Sequence, residues 1–186
     1  MYPVASPFTF LNRIEEIEMN IQDKRWQSAL ALALTIPDIC GGIAISELVR
    51  KYRDGRIMVD RNRRPLRDIG HQYIKWFDEY ASNFFISEST DYPYICGKRC
   101  WQLRCEYLHQ NKGFDNQDED EVHFYLGVNC SSSICSNPYD TMTSIHIDIK
   151  EFCIRMTQAA RAYYNLMKDE ADFTMYHTPV LDFTQS

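Results

Sequence analysis

The sequence predicts a mainly α-helical protein, an antiparallel helical bundle with a small β-hairpin insertion before the last long helix. Apolar residues recur at helical spacing through most of the chain. Only seven glycines and seven prolines occur in 186 residues, which argues against a disordered or linker-rich protein. The two segments with strand character, residues 123–128 and 143–149, are short and directly precede the final helix.

The N-terminal part of the chain predicts three helices. Residues 8–21 place apolar side chains at steps of four and three between charged ones, as an amphipathic helix does. A strongly helix-forming apolar segment, residues 24–36, comes next. Pro37 must kink or end that helix, because its ring removes a hydrogen-bond donor and clashes one turn back. A continuation is expected over residues 38–52.

Three further helices are expected at residues 67–85, 97–112 and 149–170, and residues 53–66 are expected to form a polar loop. No linker divides the chain, so residues 1–186 are predicted to be one domain.

The β insertion, at about residues 121–149, is expected to be an irregular hairpin, because turn-forming residues fill the segment between its two strands. The C-terminal tail, at about residues 172–186, has no clear period.

Cysteine usage and hydropathy predict a cytoplasmic protein. Seven cysteines are an odd number, in a chain long enough to fold without disulfides. The first twenty residues lack the basic and uninterrupted apolar regions of a secretory signal. No run approaches the roughly 18 apolar residues of a membrane span, so no membrane contact is expected. The net charge of −6 argues against non-specific nucleic-acid binding by the molecule as a whole.

The charge is unevenly distributed, and this favours RNA as a partner. Residues 50–67 contain eight basic and two acidic residues, a net charge of +6, and seven of the eight are arginines. Arginine binds phosphate as a planar fork, whereas a solvated loop is the alternative explanation. The predicted RNA-binding residues of this segment and of the helix at 97–112 are Arg56, Arg61, Arg63, Arg64, Arg67, Lys98, Arg99 and Lys112.

Residues 96–113 concentrate the reactive side chains, and two interpretations of them are disfavoured. A zinc site would use four residues of the right type: Cys96, Cys100, Cys105 and His109. On one helix Cys100 and Cys105 point about 140° apart, so the four do not converge and no metal is predicted. A thiol hydrolase would pair Cys105 with His109 on one helix face, but no residue is evidently placed to orient the imidazole.

The third interpretation is phosphoryl chemistry on RNA. Attack by the internal 2′-hydroxyl needs a base, an acid for the leaving 5′-oxygen, and positive charge on the phosphate. The imidazole of His109 can serve as base or acid near neutral pH. The guanidinium of Arg104 offers a permanent charge to the phosphate oxygens. That scheme requires no metal or other cofactor.

The segment LRCEYLHQ, residues 103–110, resembles the Arg–(four to six residues)–His motif of the HEPN superfamily of ribonucleases. Residues 26–44, WQSALALALTIPDICGGIA, resemble the apolar helix pair that precedes the motif in bacterial and phage-type members. The order of the predicted helices also agrees, so the resemblance covers roughly residues 10–170 and implies a HEPN-like helical bundle.

The resemblance implies that Arg104 stabilises the scissile phosphate and that His109 is the acid/base group. Cys105 stands where the family commonly has a polar residue, and borders the site as an auxiliary residue. Since Arg104 and His109 lie about 140° apart on a helix, similar proteins homodimerise to form a composite site. The implied activity is a metal-independent endoribonuclease that leaves a 2′,3′-cyclic phosphate. The alternative is a non-catalytic RNA-binding or dimerisation module. Toxin–antitoxin roles, with an antitoxin partner that restrains the activity, phage defence and RNA processing are all compatible with it.

Overall fold

The structure, a computed structural model, describes residues 9–86, 91–109, 122–136 and 143–173. Six α-helices are present among these residues. Their bounds are α1 Phe10–Gln22, α2 Trp26–Ala33, α3 Ile36–Ala44, α4 Ile69–Trp76, α5 Gly97–His109 and α6 Ile149–Met167. Three strands precede α6, and their bounds are β1 Val122–Gly127, β2 Ser133–Ser136 and β3 Thr143–Asp148.

The break predicted at Pro37 is present. The helix before it ends at Ala33, and α3 starts at Ile36, so Pro37 occupies the first turn, where its missing N–H is not needed. The predicted continuation of this helix to residue 52 is wrong, because α3 ends at Ala44. Two adjacent glycines near its end weaken the helix, and the backbone beyond it is held by other elements.

The hydrophobic core is organised around α6. Its buried face carries Phe152, Met156 and Tyr163. Tyr163 contacts Trp76 of α4 edge-to-face, with ring centroids 5.5 Å apart. Helix α6 also packs against α1, which buries three of the four apolar residues that its spacing places on one face, Phe10, Ile14 and Ile17. The amphipathic patterns of these helices therefore identified most of their buried faces, although Leu166 of α6 is 65% exposed.

The helix predicted at residues 67–85 changes its winding partway. After α4 the chain makes a π-helical turn, Phe77–Ala81, and then a short 3₁₀ turn, Ser82–Phe85. Asp78, in the π turn, accepts a hydrogen bond at 2.7 Å from the backbone N–H of Gly97, the first residue of α5. A Cβ at Gly97 would lie 2.4 Å from the carbonyl oxygen of Ile74, so α5 starts in direct backbone contact with α4.

The predicted fold class is wrong, because the structure is helical with a three-stranded mixed sheet rather than an antiparallel HEPN-like bundle with a β-hairpin. Both predicted strands exist, but β1 and β3 pair in parallel. A third strand, β2, comes from the turn-rich segment between them and pairs antiparallel with the other edge of β3. The residues between β2 and β3 lie outside the described part.

The physical reason lies in the central position of β3. Ile145 and Ile147 of β3 are fully buried, and the parallel register places Phe124 and Leu126 beside them. Alternating hydrophobicity identifies the buried face of a strand, but it does not state which way the neighbouring strand runs. Because β3 is flanked on both edges, even the serine-rich β2 finds backbone partners.

One stretch, Trp26–Ala44, is long and apolar enough to cross a membrane by length and composition alone. Core helices of soluble proteins pass the same test. Here the stretch is divided by the turn before α3, and Leu30, Ile36 and Cys40 within it are completely buried against the rest of the chain. This packing is compatible with a soluble protein.

Candidate functional site

Arg104, the arginine of the predicted motif, is held by Asp38 of α3. Its Nε and Nη2 atoms both donate to Asp38 Oδ2, over 3.2 Å and 2.9 Å. The side chains of Arg104 and Asp38 are only 17% and 20% exposed. The two residues are 66 positions apart in the chain. The tertiary structure therefore supplies the motif arginine with a carboxylate partner largely shielded from water.

The face of the Arg104 guanidinium rests on an aromatic ring. Its Cζ atom lies 4.9 Å from the ring centroid of Trp101, one helical turn earlier in α5. Trp101 is itself packed against Tyr73 of α4, with ring centroids 5.1 Å apart. An arginine above an indole gains a cation–π attraction at this distance. Trp101 thus covers one face of the guanidinium, and Asp38 is bonded to one of its edges.

Cys105 follows Arg104 in α5, and its chemistry differs from that of an activated thiol. Burial raises the pKa of the half-buried Cys105 thiol, and the charge and hydrogen bond of Arg104 only partly oppose that effect. The thiol is therefore neutral near pH 7. Since the thiolate is the nucleophile, this environment argues against the thiol-hydrolase interpretation.

The backbone of Asp38 binds a second arginine. Its carbonyl oxygen accepts a hydrogen bond of 2.9 Å from Nη2 of Arg67, and Nε of Arg67 donates to Oε1 of Gln72 over 2.8 Å. Gln72 is fully buried in α4. Its amide group donates to the carbonyl oxygens of Ile45 and Leu48, just beyond the end of α3. Arg67 therefore binds the first turn of α3, and Gln72 binds both Arg67 and the chain just beyond the last residue of α3.

The glycines of the PDICGG segment make this arrangement possible. A Cβ at Gly41 would lie 2.6 Å from the backbone oxygen of Gln72, so α3 and α4 touch through backbone atoms. A Cβ at Gly42 would lie 2.2 Å from Nη2 of Arg67. The absence of side chains at these two positions leaves room for α4 and for the Arg67 guanidinium.

Residues 49–67 form an ordered projection, called here the basic arm, in place of the predicted polar loop. Three antiparallel bridges hold it, joining Val49 to Arg67, Lys51 to Ile57 and Val59 to Pro65. A ring of three backbone hydrogen bonds lies at its centre. Residue 50 donates to residue 66, residue 66 to residue 58, and residue 58 to residue 50, over 2.8–2.9 Å. The equal spacing of eight residues indicates that two short hairpins and the base of the arm meet at this ring.

The two acidic residues of the basic arm, Asp54 and Asp60, accept hydrogen bonds from backbone N–H groups in its two turns. Asp60 accepts hydrogen bonds from the backbone N–H groups of Asn62 and Arg64. Asp54 accepts from both the backbone and the Nε of Arg56, so part of the charge of Arg56 is neutralised locally. The other basic residues of the arm apart from Arg67 project into solvent: Arg50, Lys51, Arg53, Arg61, Arg63 and Arg64.

The remaining predicted site residues lie along or beyond α5. Lys98 and Arg99 are in its first turn, and Arg99 donates to Gln102. His109 is the last residue of the helix, and its side chain lies outside the described part of the structure, as does all of Lys112. The structure therefore brings Arg104 and Arg67 together through Asp38, with Cys105 next to Arg104 in the chain. The position of the imidazole lies outside the described part.

The cysteines of the zinc interpretation are separated. Cys100 is buried beside the hydroxyl of Tyr73, at 3.2 Å, whereas Cys96 is exposed. Burial raises the pKa of the Cys100 thiol to about 12. Within the described ranges, no group of three or more His, Cys, Asp or Glu side chains is arranged to hold a metal ion.

Sequence reasoning missed three residues of the site: Asp38, Gln72 and Trp101. Asp38 begins the segment in which the helix was expected to continue after Pro37, and no part in the site was predicted for it. Its position within an otherwise apolar helix pair is the signal that could have been used, because a buried carboxylate needs a cationic or donor partner. No such signal distinguishes Gln72 or Trp101, since polar and aromatic residues recur throughout these helices.

Comparison of the chain with protein-family models, with curated proteins and with solved structures gave no match.

Proposed function

We propose that the protein is a cytoplasmic, metal-independent endoribonuclease in which Arg104 binds the scissile phosphate and His109 transfers the proton. The observation that carries the proposal is the environment of Arg104. Its guanidinium is held on an edge by Asp38 and on a face by Trp101. Such restraint is expected where a charge must meet a phosphate in one orientation.

The proposed chemistry follows from these two side chains. The 2′-hydroxyl of the nucleotide attacks the adjacent phosphorus, and the 5′-oxygen of the next nucleotide leaves. A neutral imidazole takes the 2′-proton and an imidazolium protonates the leaving oxygen. Arg104 offsets the negative charge that builds up on the non-bridging oxygens. The products are a 2′,3′-cyclic phosphate and a 5′-hydroxyl.

The proposal includes a homodimer. One His109 cannot be both base and acid in the same instant, and Arg104 and His109 lie about 140° apart on a regular helix. A twofold dimer with two α5 helices side by side would supply a second imidazole and a second arginine. Static light scattering at micromolar concentration measures this directly, and a monomer would remove the composite site from the proposal.

The basic arm is proposed to bind the RNA backbone. Its arginines at the second turn, Arg61, Arg63 and Arg64, are exposed. Its base carries Arg67, which is bonded to the same residue, Asp38, that holds Arg104. RNA bound along the arm would thus be bound next to the motif helix.

The test uses purified protein with mixed RNA in EDTA, beside His109→Ala and Arg104→Ala. We expect rate losses of roughly 10² to 10⁴ for His109→Ala and about 10² to 10³ for Arg104→Ala. A DNA strand of the same sequence is the matched substrate control, because it lacks the 2′-hydroxyl, and mass spectrometry of the ends identifies the cyclic phosphate. Cleavage that survives both substitutions would assign the activity to another site or to a contaminant.

A second candidate function is a non-catalytic RNA-binding module. One observation favours it, since two donor atoms of Arg104 are already bonded to a carboxylate within the protein. In that case the wild-type protein would bind RNA in EDTA without shortening it, and the Arg104→Ala variant would bind equally well.

A further inference from the structure

We propose that Asp38 is a positioning residue that orients Arg104 for the RNA phosphate and joins that orientation to the basic arm. This inference rests on the proposed ribonuclease function. It concerns a side chain that touches no reacting atom in the proposed scheme and would act entirely through the arginine.

The geometry of the pair defines what Asp38 does. A guanidinium has two edges that can form paired hydrogen bonds, the side edge of Nε and Nη2 and the end edge of Nη1 and Nη2. Asp38 Oδ2 binds the side edge, with distances of 3.2 Å and 2.9 Å. The carboxylate therefore fixes the direction in which this side edge of the guanidinium faces. Trp101 below the plane restricts rotation about the last side-chain bonds.

Stability alone is a weak reason for a shielded ion pair, because the cost of desolvating two charges offsets much of their attraction. The molecule offers a comparison in the pair of Arg161 with Glu18, which joins α6 to α1. That pair uses the same edge of the guanidinium, but Nε and Nη2 of Arg161 donate to the two separate carboxylate oxygens of Glu18, at 3.1 Å and 2.8 Å. Its side chains are 42% and 37% exposed. It links two helices without lying beside the motif residues.

Asp38 also connects Arg104 to the arm. Its carbonyl oxygen accepts the hydrogen bond from Arg67, at the base of the arm, while its carboxylate holds Arg104. RNA bound to the arm would therefore act, through Arg67, on the same residue that orients the guanidinium of Arg104. That residue, Asp38, lies in the first turn of α3. Gln72 fixes the other side of Arg67, so the connection is made of directed hydrogen bonds.

The first measurement is a double-mutant cycle on RNA cleavage, with Asp38→Asn, Arg104→Lys and the combined variant. We expect Asp38→Asn to lower kcat about 100-fold through misplacement of the guanidinium, with KM changed less than about threefold. The combined variant is expected to be no slower than Arg104→Lys alone, because Asp38 acts through Arg104. Glu18→Gln is the matched control and should keep the wild-type kcat.

The second measurement reports orientation without turnover. The Nε–H resonance of Arg104 in a ¹⁵N-labelled protein, assigned by its loss in Arg104→Lys, is expected at a shifted position typical of a bound guanidinium. Its chemical shift should move to the value of a solvent-exposed arginine in Asp38→Asn, and should stay unchanged in Glu18→Gln. Should Asp38→Asn not fold, Asp38→Glu replaces it in both measurements, with kcat expected to follow the Nε–H signal.

The outcomes separate this inference from the proposed function. Wild-type protein that cleaves RNA, with a folded Asp38 variant that loses the Arg104 signal yet keeps kcat within about twofold, would overturn the positioning role and leave the ribonuclease intact. An Asp38 variant with tighter RNA binding and faster cleavage would also overturn it, and would make the carboxylate a competitor of the phosphate. Wild-type protein that never cleaves RNA would overturn both.

Discussion

Two sets of arginines differ in what their charges are bound to. The anchored arginines, Arg67 and Arg104, both bind Asp38. The tip arginines, Arg61, Arg63 and Arg64, project from the second turn of the basic arm into solvent. Counted along the sequence they are equivalent positive charges. In the structure the anchored set fixes the relation between α3, α4 and α5, and the tip set contributes to the field around the arm.

This difference shows that the number of positive charges in a segment overestimates how many of them a ligand can bind. The basic arm has a formal charge of +6 over residues 50–67. Arg56 is paired with Asp54, and Nε and Nη2 of Arg67 are bonded to Gln72 and Asp38, although Arg67 is itself exposed. The exposed charges that remain lie in and beside the two turns of the arm.

The largest expected effect on stability comes from adding a side chain where the backbones of α3 and α4 are in contact. Gly41→Ala places a Cβ against the backbone oxygen of Gln72. Backbone atoms cannot yield without separating α3 from α4, so we expect the free energy of unfolding to fall by about 2–3 kcal/mol. Denaturant unfolding followed by circular dichroism measures the loss.

Gly42→Ala is the matched control for that variant. Its Cβ meets the guanidinium of Arg67, the far end of a flexible side chain. The arginine can move aside, and the helix gains from alanine, so stability should stay within about 1 kcal/mol of the wild type. Equal destabilisation by both variants would contradict the contact described between α3 and α4.

The next effect tests whether shielding makes the Asp38–Arg104 pair energetically distinct. Asp38→Asn leaves the Arg104 charge largely shielded without its partner, so we expect a loss of about 2 kcal/mol in unfolding free energy. Glu18→Gln breaks a more exposed pair that uses the same edge of an arginine, and should cost less than about 1 kcal/mol. Thermal and urea unfolding compare the two variants, and a larger loss for Glu18→Gln would reverse the expected order.

The smallest effect on stability, with a clear effect on binding, is expected for the tip arginines. Changing Arg61, Arg63 and Arg64 to Ser should alter the unfolding free energy by less than about 0.5 kcal/mol, because these side chains are exposed. Three lost phosphate contacts should lower the slope of log K against log salt by roughly 2 for a single-stranded RNA. Filter binding at several salt concentrations measures the slope, and an unchanged slope would remove the arm from RNA binding.

The helices were predictable because their own sequences state which face is buried. The spacing of Phe10, Ile14 and Ile17 identified α1, and Pro37 identified the break before α3. The sheet was not predictable in the same way. Direction of pairing depends on which strand lies in the middle, and that choice is made by the burial of β3 against the helices.

The basic arm shows the same limit in another form. Its content of charged and turn-forming residues predicted a loop, and each of its turns is indeed short and polar. Its order comes from backbone hydrogen bonds, among them the three that join residues 50, 58 and 66. Every residue has the same backbone N–H and C=O groups, apart from the N–H that proline lacks. The sequence therefore does not predict which of these groups bond to one another in such a ring.

The sequence by itself determined the helical segments, the position of Arg104 on α5 and the concentration of positive charge at residues 50–67. Only the tertiary structure decided the mixed sheet and the carboxylate that Arg104 faces. The physical reason is the distance along the chain over which each interaction acts. Periodicity and composition act over one or two turns of chain, whereas Asp38 and Arg104 are joined across 66 residues by the packing of helices that each look complete alone.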